Sequence, residues 1–124
     1  MGERQNTVVS VVDDDASLRR SVRNLLTSAG FTVQAFASAE EFLESPERMN
    51  TGCLVLDLRM AGMNGFDLLK HLRANGSLIP VVILTAHGDD EARGRALQAG
   101  AAAFLGKPFR SDALLDAVRA ALYR

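Results

Sequence analysis

Five short apolar runs, each followed by a segment of helical periodicity, set the narrowest limit on how this chain can fold. VVSVV (8–12), CLVLD (53–57) and VVILT (81–85) are apolar almost throughout. Such runs suit strands covered on both faces, as in a parallel sheet between two helical layers. FTVQAF (31–36) alternates, as an edge strand does, and AAAFL (101–105) is the fifth run. Between them, Leu18, Val22, Leu25, Leu26 and Ala29 share one helical face. Phe66, Leu68, Leu69 and Leu72 mark the third helix, and Leu114, Leu115, Val118 and Leu122 the fifth. Ser38 and Glu41 have capping-box spacing at the start of the second helix. Asp89, Asp90 and Glu91 favour the positive end of the fourth, and Gly30 and Gly100 stand where C-cap glycines belong.

This order predicts an α/β fold, a (βα)5 three-layer αβα sandwich with helices on both faces of the sheet. Right-handed crossovers leave few topologies, and the common one is doubly wound with strand order 2-1-3-4-5. Residues 1–124 suit one domain, and 48% hydrophobic against 23% charged residues supports a packed core. A formal net charge of −1 leaves no footprint for nucleic acid or an anionic membrane, so specificity must come from a local site. No run has the length of a membrane span and the N-terminus lacks a signal-peptide core, so a reducing, cytoplasmic location is expected. Cys53 is the single cysteine, which excludes an internal disulfide and reads as a small buried hydrophobe.

In this topology ligands bind outside the carboxyl ends of the first and third strands. The first run ends at Asp13 and Asp14, with Asp15 next, and the third ends at Asp57. Two carboxylates about 4 Å apart repel by roughly 4 kcal/mol at an effective dielectric near 20. Such a cluster either binds protons with raised affinity or binds a cation. With only oxygen ligands on offer, a hard divalent cation such as Mg²⁺ fits. Asp15 reads as the N-cap of the first helix. Thr85 ends the fourth run, and Lys107, followed by Pro108, reaches the same rim after the fifth; a lysine there can ion-pair with the acids or neutralise phosphate. Phe104 is by default a core residue.

VVDDD (11–15), LDLRM (56–60), LTAHGD (84–89) and FLGKPF (104–109), in this order, resemble the receiver domain of bacterial two-component response regulators. The resemblance spans nearly the whole chain and is nearest to receivers of nitrogen-fixation-type regulators. It implies a flavodoxin-like fold and phosphorylation of Asp57 by a sensor histidine kinase or phosphotransfer protein. Asp14 and Asp57 would ligate Mg²⁺ directly, Asp13 through water and Arg59 through its carbonyl. Thr85 would hydrogen-bond the phosphoryl group. Lys107 would pair with Asp57 before phosphorylation and with phosphate after it. Phe104 matches an aromatic switch position, and the Lys107–Pro108 bond would be cis. Arg59 and His87 stand where residues tune phosphate hydrolysis, although a lone loop histidine is also commonly inert.

Two departures from the family pattern stand out, and one helix carries an interior glycine. Ala61 and Gly62 follow Met60 where receivers often have proline, so that loop should be less rigid. Phe104 lacks the hydroxyl of the tyrosine often found there, so a switch must work by packing. Gly94 interrupts the fourth helix, and either loosens it for repositioning or permits close packing.

The resemblance implies that the face of the fourth helix, fifth strand and fifth helix changes on phosphorylation, with homodimerisation there and a DNA-binding output outside this sequence. The fifth helix closes the sequence, which leaves open a single-domain regulator or a receiver excised from a longer protein. Three other readings compete. Asp13-x-Asp15 resembles the signature of haloacid-dehalogenase-type phosphatases, but leaves Asp57 unexplained. A pseudo-receiver that no longer takes phosphate would not need Asp14, Asp57, Thr85 and Lys107 together. A flavodoxin-like cofactor binder would need a phosphate-cradling loop after the first run.

Overall fold

The computed structural model describes residues 8–86 and 89–123. Its elements are β1 (Val8–Val12), α1 (Ala16–Ser28), β2 (Thr32–Phe36), α2 (Ala39–Glu44), a 3-10 turn (Pro46–Asn50), β3 (Thr51–Leu56), α3 (Gly65–Ala74), β4 (Val81–Thr85), α4 (Asp90–Gln98), β5 (Ala103–Gly106) and α5 (Ser111–Leu122). Every ladder is parallel and the strand order is β2-β1-β3-β4-β5. This is the doubly wound (βα)5 order that the apolar runs predict.

The two-residue period of a strand divides the core. Val9, Val11, Cys53, Val55, Val82 and Leu84 face α1 and α5, packing on Val22, Leu26, Leu114 and Val118. Val12, Leu54, Leu56, Val81 and Ile83 pack on the other side against Phe42, Leu68, Leu69, Ala96 and Phe104. β1, β3 and β4 are therefore buried on both faces, which is why their sequences barely alternate. Fully burying each such Val or Leu contributes about 1.5–3 kcal/mol. The polar exception in β1, Ser10, shares a 2.7 Å hydroxyl–hydroxyl bond with Thr51 of β3. Cys53 is fully buried, and burial pushes its thiol up to about 12.

Several boundaries differ from the sequence reading. β5 begins at Ala103, because the Ala101 N–H closes the end of α4 on the Ala96 carbonyl at 3.0 Å. β3 begins two residues early at Thr51, with a register shift beside Val8 and Val9. A 3-10 turn that the apolar pattern does not signal precedes β3; Pro46 starts it and the Ser45 hydroxyl accepts the Glu47 N–H at 3.1 Å. In α2 the Ser38 hydroxyl accepts from the Glu41 N–H, while the Glu41 carboxylate reaches back to the Ala37 N–H, one residue beyond the expected partner.

Among the helices, α4 is the least buried: Ala96 is its only fully buried residue. Two cation–π contacts fasten it instead, Arg95 over the Phe66 ring at 4.2 Å and Arg93 over Phe104 at 5.9 Å. Gly94 is exposed, and nothing lies within 4 Å of where its Cβ would be. Close packing therefore does not explain this glycine. Gly94→Ala is expected to stabilise α4 by about 1 kcal/mol. Amide exchange within α4 should slow correspondingly; unchanged exchange would mean that the glycine does not set this helix's looseness.

Candidate functional site

Pairing of β1 with β3 brings the acidic strand ends together. The Asp57 N–H donates to the Val12 carbonyl at 3.1 Å, so the sheet ladder itself places Asp57 beside Asp13. Carboxylate oxygens of Asp13, Asp14 and Asp57 all lie within 4.8 Å of one another. Asp13 and Asp57 are buried, at 3% and 7% exposure, and Asp14 is exposed at the rim. An all-oxygen cluster of this size suits a hard divalent cation.

Lys107 enters from the other side. Its N–H donates to the Thr85 carbonyl at 2.9 Å, which ties the end of β5 to the end of β4. The Lys107–Pro108 bond is cis. From there Nζ lies 2.9 Å from Asp13 Oδ2 and 3.4 Å from Asp57 Oδ2, bridging both acids. The closer partner is Asp13 rather than Asp57, the partner that the resemblance implies. Arg19 of α1 donates to the Asp13 carbonyl at 2.7 Å and fixes the strand end from behind. Arg59 N–H donates to Asp57 Oδ1 at 3.3 Å.

Three carboxylates thus face one ammonium. Burial pushes the Asp13 carboxyl above its ordinary value, and the Asp57 charge adds to this, against the opposing pull of the Asp15 N–H and Lys107. An acid whose folded-state value is raised costs stability once the unfolded chain ionises. The metal-free protein is therefore expected to lose stability from this group as pH rises from about 3.8 through the raised value. Asp13→Asn should remove that loss and shift the urea midpoint upward at neutral pH. A lower midpoint would show that the Lys107 pair outweighs the strain.

The other candidates take distinct places. Thr85 is fully buried at the end of β4, opposite Gly106. Phe104 is buried against the α3–α4 side of the core with Arg93 over its ring. The Arg59 side chain is exposed and lines a separate cleft of about 460 Å³ with Asn64, Phe66 and Arg95. Asp15 caps α1, accepting from Ser17 and Leu18 N–H groups at 3.0 and 3.2 Å. Its carboxylate is thereby committed to the helix, which weakens an Asp13-x-Asp15 phosphatase pair. His87 lies outside the described residues.

The model of the response regulator receiver domain matches residues 9–119. The chain belongs to this family. Nodulation protein W of Bradyrhizobium diazoefficiens is 48% identical over 117 residues, covering 94% of this chain and 52% of that protein. Transcriptional regulatory protein FixJ of Azorhizobium caulinodans is 44% identical over 116 residues, covering 94% of this chain and 55% of its own length. This receiver therefore spans about half the length of the curated relatives it matches. The solved structure of response regulator StyR has 52% identity and a TM-score of 0.85, covering 93% of this chain and 58% of that one. The structure of FixJ-N has 38% identity and a TM-score of 0.86, covering 95% and 94%. These matches agree with the nitrogen-fixation-type resemblance in the motifs. No helix among the described residues is long and apolar enough to cross a membrane.

Proposed function

We propose that this receiver takes a phosphoryl group onto Asp57 from a phosphohistidine of a sensor kinase or phosphotransfer protein. The supporting observation is the convergence of Asp13, Asp14 and Asp57 with Lys107 Nζ bridging the two buried acids. Asp13, Asp14 and Asp57, with the Arg59 carbonyl, would hold Mg²⁺. When bound, that ion supplies positive charge against the incoming phosphoryl oxygens. An Asp57 carboxylate oxygen forms the new bond to phosphorus as the donor's P–N bond breaks, and the imidazole nitrogen keeps the electron pair. Lys107 stabilises charge on the transferring group and then pairs with it. The Thr85 hydroxyl donates to a phosphoryl oxygen.

The product adds roughly two negative charges at one point. Thr85 and Lys107 are joined through their main chains, so a pull on either moves the adjoining ends of β4 and β5. Phe104 and α4 lie next in line through the Arg93 contact. The face of α4, β5 and α5 is the output surface, used for homodimerisation and for control of a DNA-binding domain outside this chain. Names of the relatives support a transcriptional output. Residues 1–124 form one receiver unit, acting as a switch rather than a turnover enzyme, in the cytoplasm.

The test supplies a small acyl phosphate with Mg²⁺, and separately a phosphate monoester. The expected result is stoichiometric, acid-stable and base-labile label that Asp57→Asn removes, without monoester turnover. Turnover that survives Asp57→Asn would replace this reading with a phosphatase. Sedimentation with and without a beryllofluoride phosphate mimic tests the output; an unchanged monomer would exclude dimerisation.

A further inference from the structure

The loop between β3 and α3 carries the Arg59 main chain past Asp57, and its far end is well anchored. The Asn64 side chain caps α3 through the Asp67 N–H at 2.9 Å, and the Gly65 N–H donates to the Leu58 carbonyl at 2.9 Å. Its middle is different: Ala61 and Gly62 are both exposed. Among the described residues, the side-chain tie to this stretch from outside the loop is Glu40 of α2. Glu40 Oε2 accepts the Met63 N–H at 2.9 Å across 23 positions of sequence. Gly62 makes room for it: φ is +77°, and a Cβ there would stand 2.8 Å from Glu40 Oε2. The Met63 N–H in turn holds the Glu40 carboxyl below its ordinary value. The base of this tie is firm, because its neighbours Ala39 and Phe42 in α2 are fully buried.

We propose that Glu40 is a positioning residue for the acidic site: by pinning Met63 it sets where the Arg59 main chain stands beside Asp57. This rests on the reading of Asp57 as the phosphorylated residue. The Glu40 carboxylate bonds to Met63, and no hydrogen bond among the described residues joins it to Asp13, Asp14 or Asp57, so its effect travels through residues 59–63. Loss of a group that orients a metal-binding or reacting residue typically costs 10–100-fold, and about tenfold is expected here for an exposed tie. A proline at 61 supplies the restraint by another route. Ala61 has a negative φ and an exposed side chain, and proline fixes φ near about −65° while reducing the loop's freedom.

The experiment compares wild type, Glu40→Ala, Ala61→Pro and the Glu40→Ala/Ala61→Pro double variant. Phosphoryl uptake from an acyl phosphate with Mg²⁺ is measured alongside the urea midpoint and amide exchange at Arg59 without Mg²⁺. Glu40→Ala should slow uptake about tenfold and speed Arg59 exchange with little change in midpoint. The double variant should recover most of the rate and of the protection, and Ala61→Pro alone should remain near wild type. A wild-type rate in Glu40→Ala overturns the proposal, as does a loss that proline does not restore or one matched by global destabilisation. Wild type that takes no label at Asp57 removes the underlying reading instead, and this proposal with it.

Discussion

Gly65→Ala is expected to lower stability by about 3 kcal/mol, at the upper end for overpacking, and to impair phosphoryl uptake together with it. A Cβ at this position would collide with the Asp57 carbonyl oxygen and stand 2.8 Å from the Leu58 Cα. Both obstacles are main chain, so no rotamer change relieves them. They are also the main chain that carries Asp57, the proposed acceptor. Relief must come by pushing α3 away from the end of β3 or by shifting Asp57. The first route loosens Leu68, Leu69 and Leu72 in the core. The second disturbs the acid cluster. Urea denaturation reads the stability change, and an unshifted midpoint would mean that the loop yields more easily than this packing suggests.

Lys107→Ala is expected to have the second large effect, on stability and chemistry at once. The Asp13 and Asp57 side chains are only 4% and 8% exposed, and Lys107 is their shared counter-charge. Removing one partner from a buried pair leaves uncompensated charge and costs about 3 kcal/mol. The loss should be largest at neutral pH and fade in acid, as Asp13, already raised by burial, takes up a proton more readily still. Added Mg²⁺ should restore much of the lost stability by replacing the missing positive charge. Uptake of phosphoryl should nonetheless slow on the order of 100-fold, the typical cost of removing one preorganised charge stabiliser. Chemical denaturation across pH, with and without Mg²⁺, separates the two effects. A loss of stability that persists unchanged in acid would contradict the electrostatic account.

The fold was legible in the sequence because its rules are local and repetitive. Runs apolar on both faces are written out in Val9, Val11 and Val12 and again in Leu54, Val55 and Leu56, and the helical stripes between them obey one period. The acids of the site were legible for the same reason, since their place at strand ends follows from topology. What could not be read were contacts set by side-chain reach. Lys107 leans closer to Asp13 than to Asp57, Arg19 holds the Asp13 carbonyl, and Glu40 crosses to Met63. No sequence interval signals which acid Lys107 favours, or marks Arg19 and Glu40 as more than ordinary surface charges. The roles of Gly65 and Gly94 diverge likewise: one meets main chain and the other open space, although both are glycines at or within helices.

Peptide mapping by mass spectrometry after incubation with an acyl phosphate and Mg²⁺ bears most directly on the claim that the clustered acids form a phosphoacceptor. One added phosphoryl group should appear on the peptide carrying residue 57, and none should form when a chelator removes the metal before the donor is added. A phosphoryl group on any other residue, or none on a folded protein supplied with both reagents, would contradict it.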